Sequence, residues 1–273
     1  IEELHASINE DSALRIITIK DKEGLDALRH SLAHLMAAAV MELWPDAKRT
    51  IGPAIENGFY YDFEFPKGVT LSDADLRGLE KKMKEIIGKD HSFEGREVSV
   101  KQAKKELKHE PFKLDLIKEL EASGEKLTFY KSGPFIDLCR GGHVDNTREI
   151  PVAGLKLHKL AGAYWRGDET KPMLTRIYGL LFAGKAELDE HLTMLEEAKK
   201  RDHRKLGKEL DLFTFSDLVG PGLPLWTPKG TVLRNTLDNF VWELRHARGY
   251  EKVSIPHITK KELYEVSGHW QKF

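Results

Sequence analysis

The sequence predicts an α+β protein: a two-layer domain with helices laid on an antiparallel sheet, then a linker helix, then the beginning of a further antiparallel-sheet domain. Three observations lead there. Strand-like runs close on short turn signals, Asn57-Gly58 within IGPAIENGFYYDFEF and Ser132-Gly133-Pro134 within LTFYKSGPFIDLC, and short turns join antiparallel strands. Between these runs lie helical patterns with their own start signals. The length of 273 residues exceeds the usual single domain, so two or more compact units are expected.

Residues 13–19, ALRIITI, read as a strand with no partner hairpin nearby, the end of a unit lying mostly upstream. A helix follows Lys20 and Asp21. Leu25, Leu28, Leu32, Leu35, Ala39 and Leu43 form one stripe, His30, His34, Ala37 and Met41 a second, and Pro45 ends it. A helix apolar on two sides is buried on two sides. Ser72 with Asp75, and Ser99 with Gln102, look like capping boxes opening two charged helices on either side of the strand FEGREVSV. Residues 155–165 and 173–182 read as a further strand pair, and a helix is expected from about Ala186 to Leu210. Lys199, Lys200, Arg201, Arg204, Lys205 and Lys208 make that helix the densest basic cluster. Its plain reading is a solvated face of mixed charge; contact with RNA is the other. After the breaker-rich VGPGLPLWTPKG comes an amphipathic helix carrying Val232, Leu233, Leu237, Phe240, Val241 and Leu244, then Gly249, a strand KVSI and Pro256.

Composition narrows the class. Hydrophobic residues at 40% and charged residues at 32% suit a soluble globular chain. No apolar run approaches the ~18 residues of a membrane span, and IEELHASINEDS lacks a signal peptide's basic and apolar blocks. A cytoplasmic protein without membrane contact is the expectation. A formal net charge of −1 leaves any polyanion to meet local basic patches. Cys139, the single cysteine, excludes an internal disulfide. Ile1 in place of methionine, and a last stretch SGHWQKF that stops in mid-pattern, suggest a piece of a longer protein.

The chemistry concentrates in two short motifs. His30 and His34 stand one helical turn apart in RHSLAHLMAAAV, and Cys139 and His143 repeat that gap in DLCRGGHV. Two imidazoles on one turn can share a ligand, and the cysteine with the second histidine completes a four-donor set of zinc type. Ser31 occupies the place of the glutamate in H-E-x-x-H, so a metalloprotease is excluded. Spacing alone leaves packing histidines and a buried structural thiol open beside a functional site.

RHSLAHLMAAAVMELWP, IGPAIENGFYYDF, DLCRGGHV, LAGAYWRGD, RIYG and AKRDHRKLGKELDLF together resemble the bacterial-type threonyl-tRNA synthetases over essentially the whole chain. The paired H-x-x-x-H and C-x-x-x-H are shared with alanyl-tRNA synthetase editing domains; GAYWRGD and the linker helix favour the threonyl family. The resemblance implies the end of an N-terminal ubiquitin-like (TGS) domain over 1–19, an editing domain over 20–184, the linker helix over 185–210, and the start of a class II catalytic domain, with motif 1, over 211–273. Its implied activity is threonine–tRNA ligation by the parent enzyme and, in this portion, hydrolysis of seryl-tRNA(Thr), which makes tRNA(Thr) and its seryl ester the partners.

By the same resemblance the catalytic residues fall on His30, His34, Lys113, Asp137, Cys139 and His143, with substrate contacts from Gly52, Tyr61, Lys113 and Asp137. His30 and His34 would orient or deprotonate water. Lys113 and Tyr61 would contact the scissile region, Asp137 would hold the seryl ammonium, and Cys139 with His143 would line the pocket. Gly142 stands where the family commonly has proline. No metal is expected for editing; were one bound, His30, His34, Cys139 and His143 would hold it. The family's ATP, Mg and Zn sites belong to segments beyond residue 273, and motif 1 implies a homodimer. The rival readings are a non-catalytic module that binds the tRNA acceptor end, and a zinc-dependent hydrolase of small esters.

Overall fold

The computed structural model describes residues 11, 13–220, 222–256 and 259–270. It is a mixed helical and antiparallel structure, as the sequence predicts, in two compact units, Ile1–Met194 and Leu195–Phe273.

In the first unit, helix α1 (Lys22–Leu43) precedes short strands β1 (Lys48–Arg49) and β2 (Ala54–Ile55), then β3 (Gly58–Glu64). Helix α2 (Asp73–Ile87), strand β4 (Phe93–Val98) and helices α3 (Val100–Glu106) and α4 (Pro111–Ser123) follow. Strands β5 (Leu127–Ser132), β6 (Phe135–Leu138), β7 (Leu155–Tyr164) and β8 (Met173–Leu181) complete it, before helix α5 (Lys185–Lys200). One sheet runs β1-β3-β8-β7 with β2 on β3; a second runs β4-β5-β6; every pairing is antiparallel.

Helix α1 is the centre of the main core, where Leu32, Leu35, Met36 and Ala39 meet Phe59, Tyr61 and Phe63 of β3 and Leu79 and Met83 of α2. The alanines between its leucines let the neighbouring layers come close, so Leu28, Arg29 and every residue from Ser31 to Val40 are buried. That is the two-sided burial expected. The Ser72 box forms as expected, the Asp75 carboxylate accepting from the Ser72 N–H and hydroxyl; at Ser99 only half of the expected box forms, the hydroxyl accepting from the Gln102 N–H while the Gln102 side chain donates to Glu106 instead.

Three further details differ from the sequence reading. The first hairpin turns at Glu56-Asn57, because Ile55 pairs with Gly58, which already belongs to β3. Gly58 serves close strand approach, since a Cβ there would lie 1.9 Å from the Gly179 carbonyl oxygen. Residues 13–18 do not form a strand; Leu14 is 74% and Ile16 84% exposed, and no described strand offers their N–H and C=O groups a ladder. The rest of that terminal segment, residues 1–10 and 12, lies outside the described residues. The helix expected over 186–210 is two, α5 and α6 (His203–Glu209), because Asp202 takes a non-helical conformation and caps α6 by accepting from the Arg204 N–H.

In the second unit β9 (Phe213–Thr214) pairs with β10 (Leu225–Trp226). Helix α7 (Pro228–His246) starts at the Thr227 cap with proline in its first turn, and α8 (Lys261–Val266) follows. KVSI is irregular here, with Val253 80% exposed and no partner strand among the described residues. The basic cluster is laced with acids: Lys199 pairs with Glu196, Lys200 with Glu197, Arg204 with Asp202. These are exposed pairs of mixed charge.

Candidate active site

Helix α1 carries His30 and His34 on one face because residues four apart stand one above the other. Opposite them, β6 ends at Leu138 and the loop Cys139–His143 turns back towards the helix. Gly141 and Gly142 take φ of +92° and +80°, the left-handed region that glycine enters without cost. Proline, fixed near −65°, could not hold the Gly142 conformation, so this loop has its own backbone path.

The loop brings the two motifs together. His30 Nε2 lies 2.9 Å from Cys139 Sγ, and Cys139 Sγ lies 3.3 Å from His143 Nε2. The ring centroids of His34 and His143 are 4.4 Å apart, edge to face. One donor atom from each of His30, His34, Cys139 and His143 lies within 4.8 Å of the others. Residues from distant parts of the sequence thus converge on one small volume.

Their surroundings are dry. His34 and His143 are buried and His30 is half-buried. Burial lowers all three imidazole pKa values, and those of His34 and His143 fall well below the ordinary range because each also feels neighbouring histidines. Burial raises the Cys139 thiol to about 11. At neutral pH the group is therefore three neutral imidazoles and a protonated thiol.

Beside them sits a charged cluster built from three elements. Lys113, in the first turn of α4, pairs with Asp137 of β6 at 2.7 Å, the side chains being 3% and 1% exposed. Tyr61, from β3, donates to the other oxygen of Asp137 at 2.7 Å. Burial would raise the Asp137 carboxyl, but Lys113 and Arg49 outweigh it and hold it below the usual range. The same burial, only partly offset by Asp137, lowers the Lys113 ammonium. Gly52 makes room for this arrangement: a Cβ there would lie 2.2 Å from the Tyr61 ring. The carboxylate expected to meet a seryl ammonium is thus already engaged by Lys113, by Tyr61 and by the Leu138 N–H.

Further residues that the sequence reading passed over also build the site. Phe93 stacks on His143 at 4.8 Å and Tyr130 tilts against it at 4.7 Å. Arg49 pairs with Glu110 and donates to the Ile136 carbonyl. Ser31, fully buried, touches His143. Only Ser31 had a visible signal, its place inside the histidine motif; the others are ordinary strand or loop residues until the fold brings them in.

The family described as "Threonyl and Alanyl tRNA synthetase second additional domain" matches residues 127–178, which hold β5, β6, the cysteine loop and most of β7 and β8. Curated relatives match far more. The threonine–tRNA ligase of Porphyromonas gingivalis is 49% identical over 273 residues, 99% of this chain and 41% of the relative. That of Clostridium tetani is 48% identical over 276 residues, and threonine–tRNA ligase 1 of Bacillus subtilis 47% identical over 273, each covering 42% of the relative. Over the stretch they share, the chain is a relative of the threonine–tRNA ligases. It spans about two fifths of the length of these relatives, and both histidine motifs lie within the stretch it shares with them. No helix among the described residues is long and apolar enough to cross a membrane.

Proposed function

We propose that the first unit hydrolyses the ester of serine wrongly attached to tRNA(Thr), a proofreading step for a parent enzyme that joins threonine to that tRNA with ATP. The observation that carries this reading is the convergence of His30, His34, Cys139 and His143 on one dry volume next to the buried Lys113–Asp137 pair. The physical need is plain. Serine lacks one methyl of threonine, and a missing methyl costs a pocket only ~1–3 kcal/mol, so a second pocket that admits serine and rejects threonine is required for accuracy.

Ester hydrolysis needs a water, an acceptor for its proton, and donors for the developing oxyanion and the leaving ribose oxygen. His30 is the acceptor: it is the most exposed of the three imidazoles and neutral at physiological pH. His34 and His143, deeper and uncharged, shape the pocket and orient the water. Lys113 supplies a polar hydrogen to the scissile region, and Tyr61, whose one hydroxyl hydrogen goes to Asp137, adds a polar contact through its oxygen. Asp137, ion-paired and almost fully buried, holds those two in place, and draws the seryl ammonium through its negative charge.

The donor set fits zinc in number and kind, which favours a zinc-dependent small-ester hydrolase as the second reading. The same four groups, three neutral imidazoles and a thiol, can also position a water without a metal. We therefore propose that hydrolysis needs no metal. ATP, Mg and Zn serve the parent's ligase reaction, in the cytoplasm and as a homodimer through the α7 region.

The test is deacylation of seryl-tRNA(Thr) and threonyl-tRNA(Thr) by the 273-residue chain, with and without chelator. Rapid loss of serine, sparing of threonine and indifference to chelator are expected, with the His30→Ala variant inactive. Binding of the tRNA without release of serine would make the unit a silent acceptor-end module; loss of activity with chelator would establish the zinc reading.

A further inference from the structure

We propose that Ser31 is a positioning residue that sets the direction of a hydrogen-bond chain running through His143 and Cys139 to His30. Its effect on catalysis rests on the seryl hydrolysis proposed above; the direction of the chain does not.

The argument is a count of hydrogens. Ser31 Oγ has three neighbours: the Ala27 carbonyl oxygen at 2.9 Å, the Val144 N–H at 3.1 Å and His143 Nδ1 at 3.2 Å. A hydroxyl carries one hydrogen and two lone pairs. The carbonyl can only accept, and at 2.9 Å, the shortest of the three contacts, it takes the hydroxyl hydrogen, one turn back along α1. The Val144 N–H can only donate, so it fills one lone pair. His143 Nδ1 faces the remaining lone pair and must bring a hydrogen to it. The neutral ring then carries its hydrogen on Nδ1 and leaves Nε2 bare.

Nε2 of His143 faces Cys139 Sγ at 3.3 Å. A bare nitrogen needs a donor, and the Cys139 thiol at 3.3 Å can supply it. Sulfur already receives the Gly141 N–H at 3.3 Å, while the Gly141 carbonyl, the other acceptor near the thiol, is farther off at 4.0 Å. With the thiol hydrogen directed to His143, the 2.9 Å contact with His30 Nε2 is a hydrogen bond only if His30 donates. The reverse arrangement, Ser31 O–H to His143 Nδ1, His143 Nε2–H to Cys139 and Cys139 S–H to His30 Nε2, leaves the Ser31 and Ala27 oxygens facing each other at 2.9 Å with no hydrogen between them.

One direction therefore satisfies every contact: His30 Nε2–H to Cys139, Cys139 S–H to His143 Nε2, His143 Nδ1–H to Ser31, and Ser31 O–H to Ala27. Its consequence is chemical. With hydrogen on Nε2, His30 keeps its lone pair on Nδ1, the atom able to take a proton from water. A fully buried serine thus decides which nitrogen of the base is basic, three links away along the hydrogen-bond chain.

Selective ¹⁵N-histidine labelling and long-range ¹H–¹⁵N NMR of the whole chain read each ring's tautomer directly. The wild-type chain is expected to show His143 as the Nδ1–H form and His30 as the Nε2–H form. Finding His143 as Nε2–H overturns the proposal, whatever any variant does. Ser31→Ala is expected to shift both rings to mixtures and to slow deacylation about tenfold to a hundredfold, as loss of an outer partner orienting an imidazole does, while Ser31→Thr, which keeps the hydroxyl, restores the wild-type spectrum. Unchanged tautomers in Ser31→Ala also overturn it. A wild-type chain with the expected tautomers and no deacylation would remove the proposed reaction and leave the hydrogen-bond assignment standing.

Discussion

Helices α1 and α7 begin from nearly the same sequence signal and end in opposite surroundings. Each is long, 22 and 19 residues, and each carries a stripe of leucines and other apolar side chains at helical spacing. Helix α1 buries Leu28, Arg29 and an unbroken run from Ser31 to Val40, polar residues included; α7 buries only Gly230 among its described residues. Its Val232, Phe240 and Leu237 are 67%, 57% and 56% exposed. Periodicity states which side of a helix is apolar. What covers that side is a property of neighbours brought in from elsewhere, and for α1 those neighbours also turn two histidines into part of a site.

The contrast can be broken most forcefully at the buried charge beside α1. Lys113→Ala strands Asp137 without its partner, and loss of one member of a buried ion pair costs about 3–5 kcal/mol; urea unfolding of the first unit should register it. Replacing both charges by apolar residues of similar volume should recover most of that loss. Next comes the helix itself. Leu32→Ala removes a fully buried side chain and should cost ~2–5 kcal/mol.

Acid provides a smaller, graded test. His34 and His143 have depressed pKa values in the folded chain, whereas the unfolded chain titrates them near the ordinary ~6.5. Above that value both states are neutral and stability is full. As pH falls below it, the unfolded state binds protons first, so stability drops by about 1.4 kcal/mol per pH unit for each of the two histidines until the folded pKa is reached. Urea midpoints between pH 7 and pH 5 measure the slope, and a flat profile would mean that these rings are not held neutral.

The smallest effect is expected at α7. Leu237→Ala, on a stripe exposed in the single chain, should change the stability of the monomer by no more than ~0.5 kcal/mol. A larger loss that grows with dilution would show the stripe to be covered by a second copy in solution, and would erase the difference between the two helices.

Much of this was legible beforehand for local reasons. Helix α1 stops before Pro45, the Ser72 and Ser99 starts depend on residues three positions apart, and the Gly133-Pro134 turn needs only a positive φ of +56° at the glycine. The misread segments share one cause. ALRIITI and KVSI have strand composition, but a strand exists only when another supplies its hydrogen-bond partners, and none does so among the described residues. The break at Asp202 went unseen because a single side-chain cap outweighs the helical propensity of the residues around it.

For the site, the sequence by itself determined the inventory: His30 and His34 on one turn, Cys139 and His143 across a glycine loop, and, through the family motifs, Gly52, Tyr61, Lys113 and Asp137. Only the tertiary structure decided their pairing. Lys113 could have been a surface lysine and Asp137 a turn residue; packing α4 against β6 took both from water, and in a dry interior opposite charges must meet. Ser31 and the rings of Phe93 and Tyr130 join them for the same reason, since removal from water leaves each polar group no partner except those the fold places in reach.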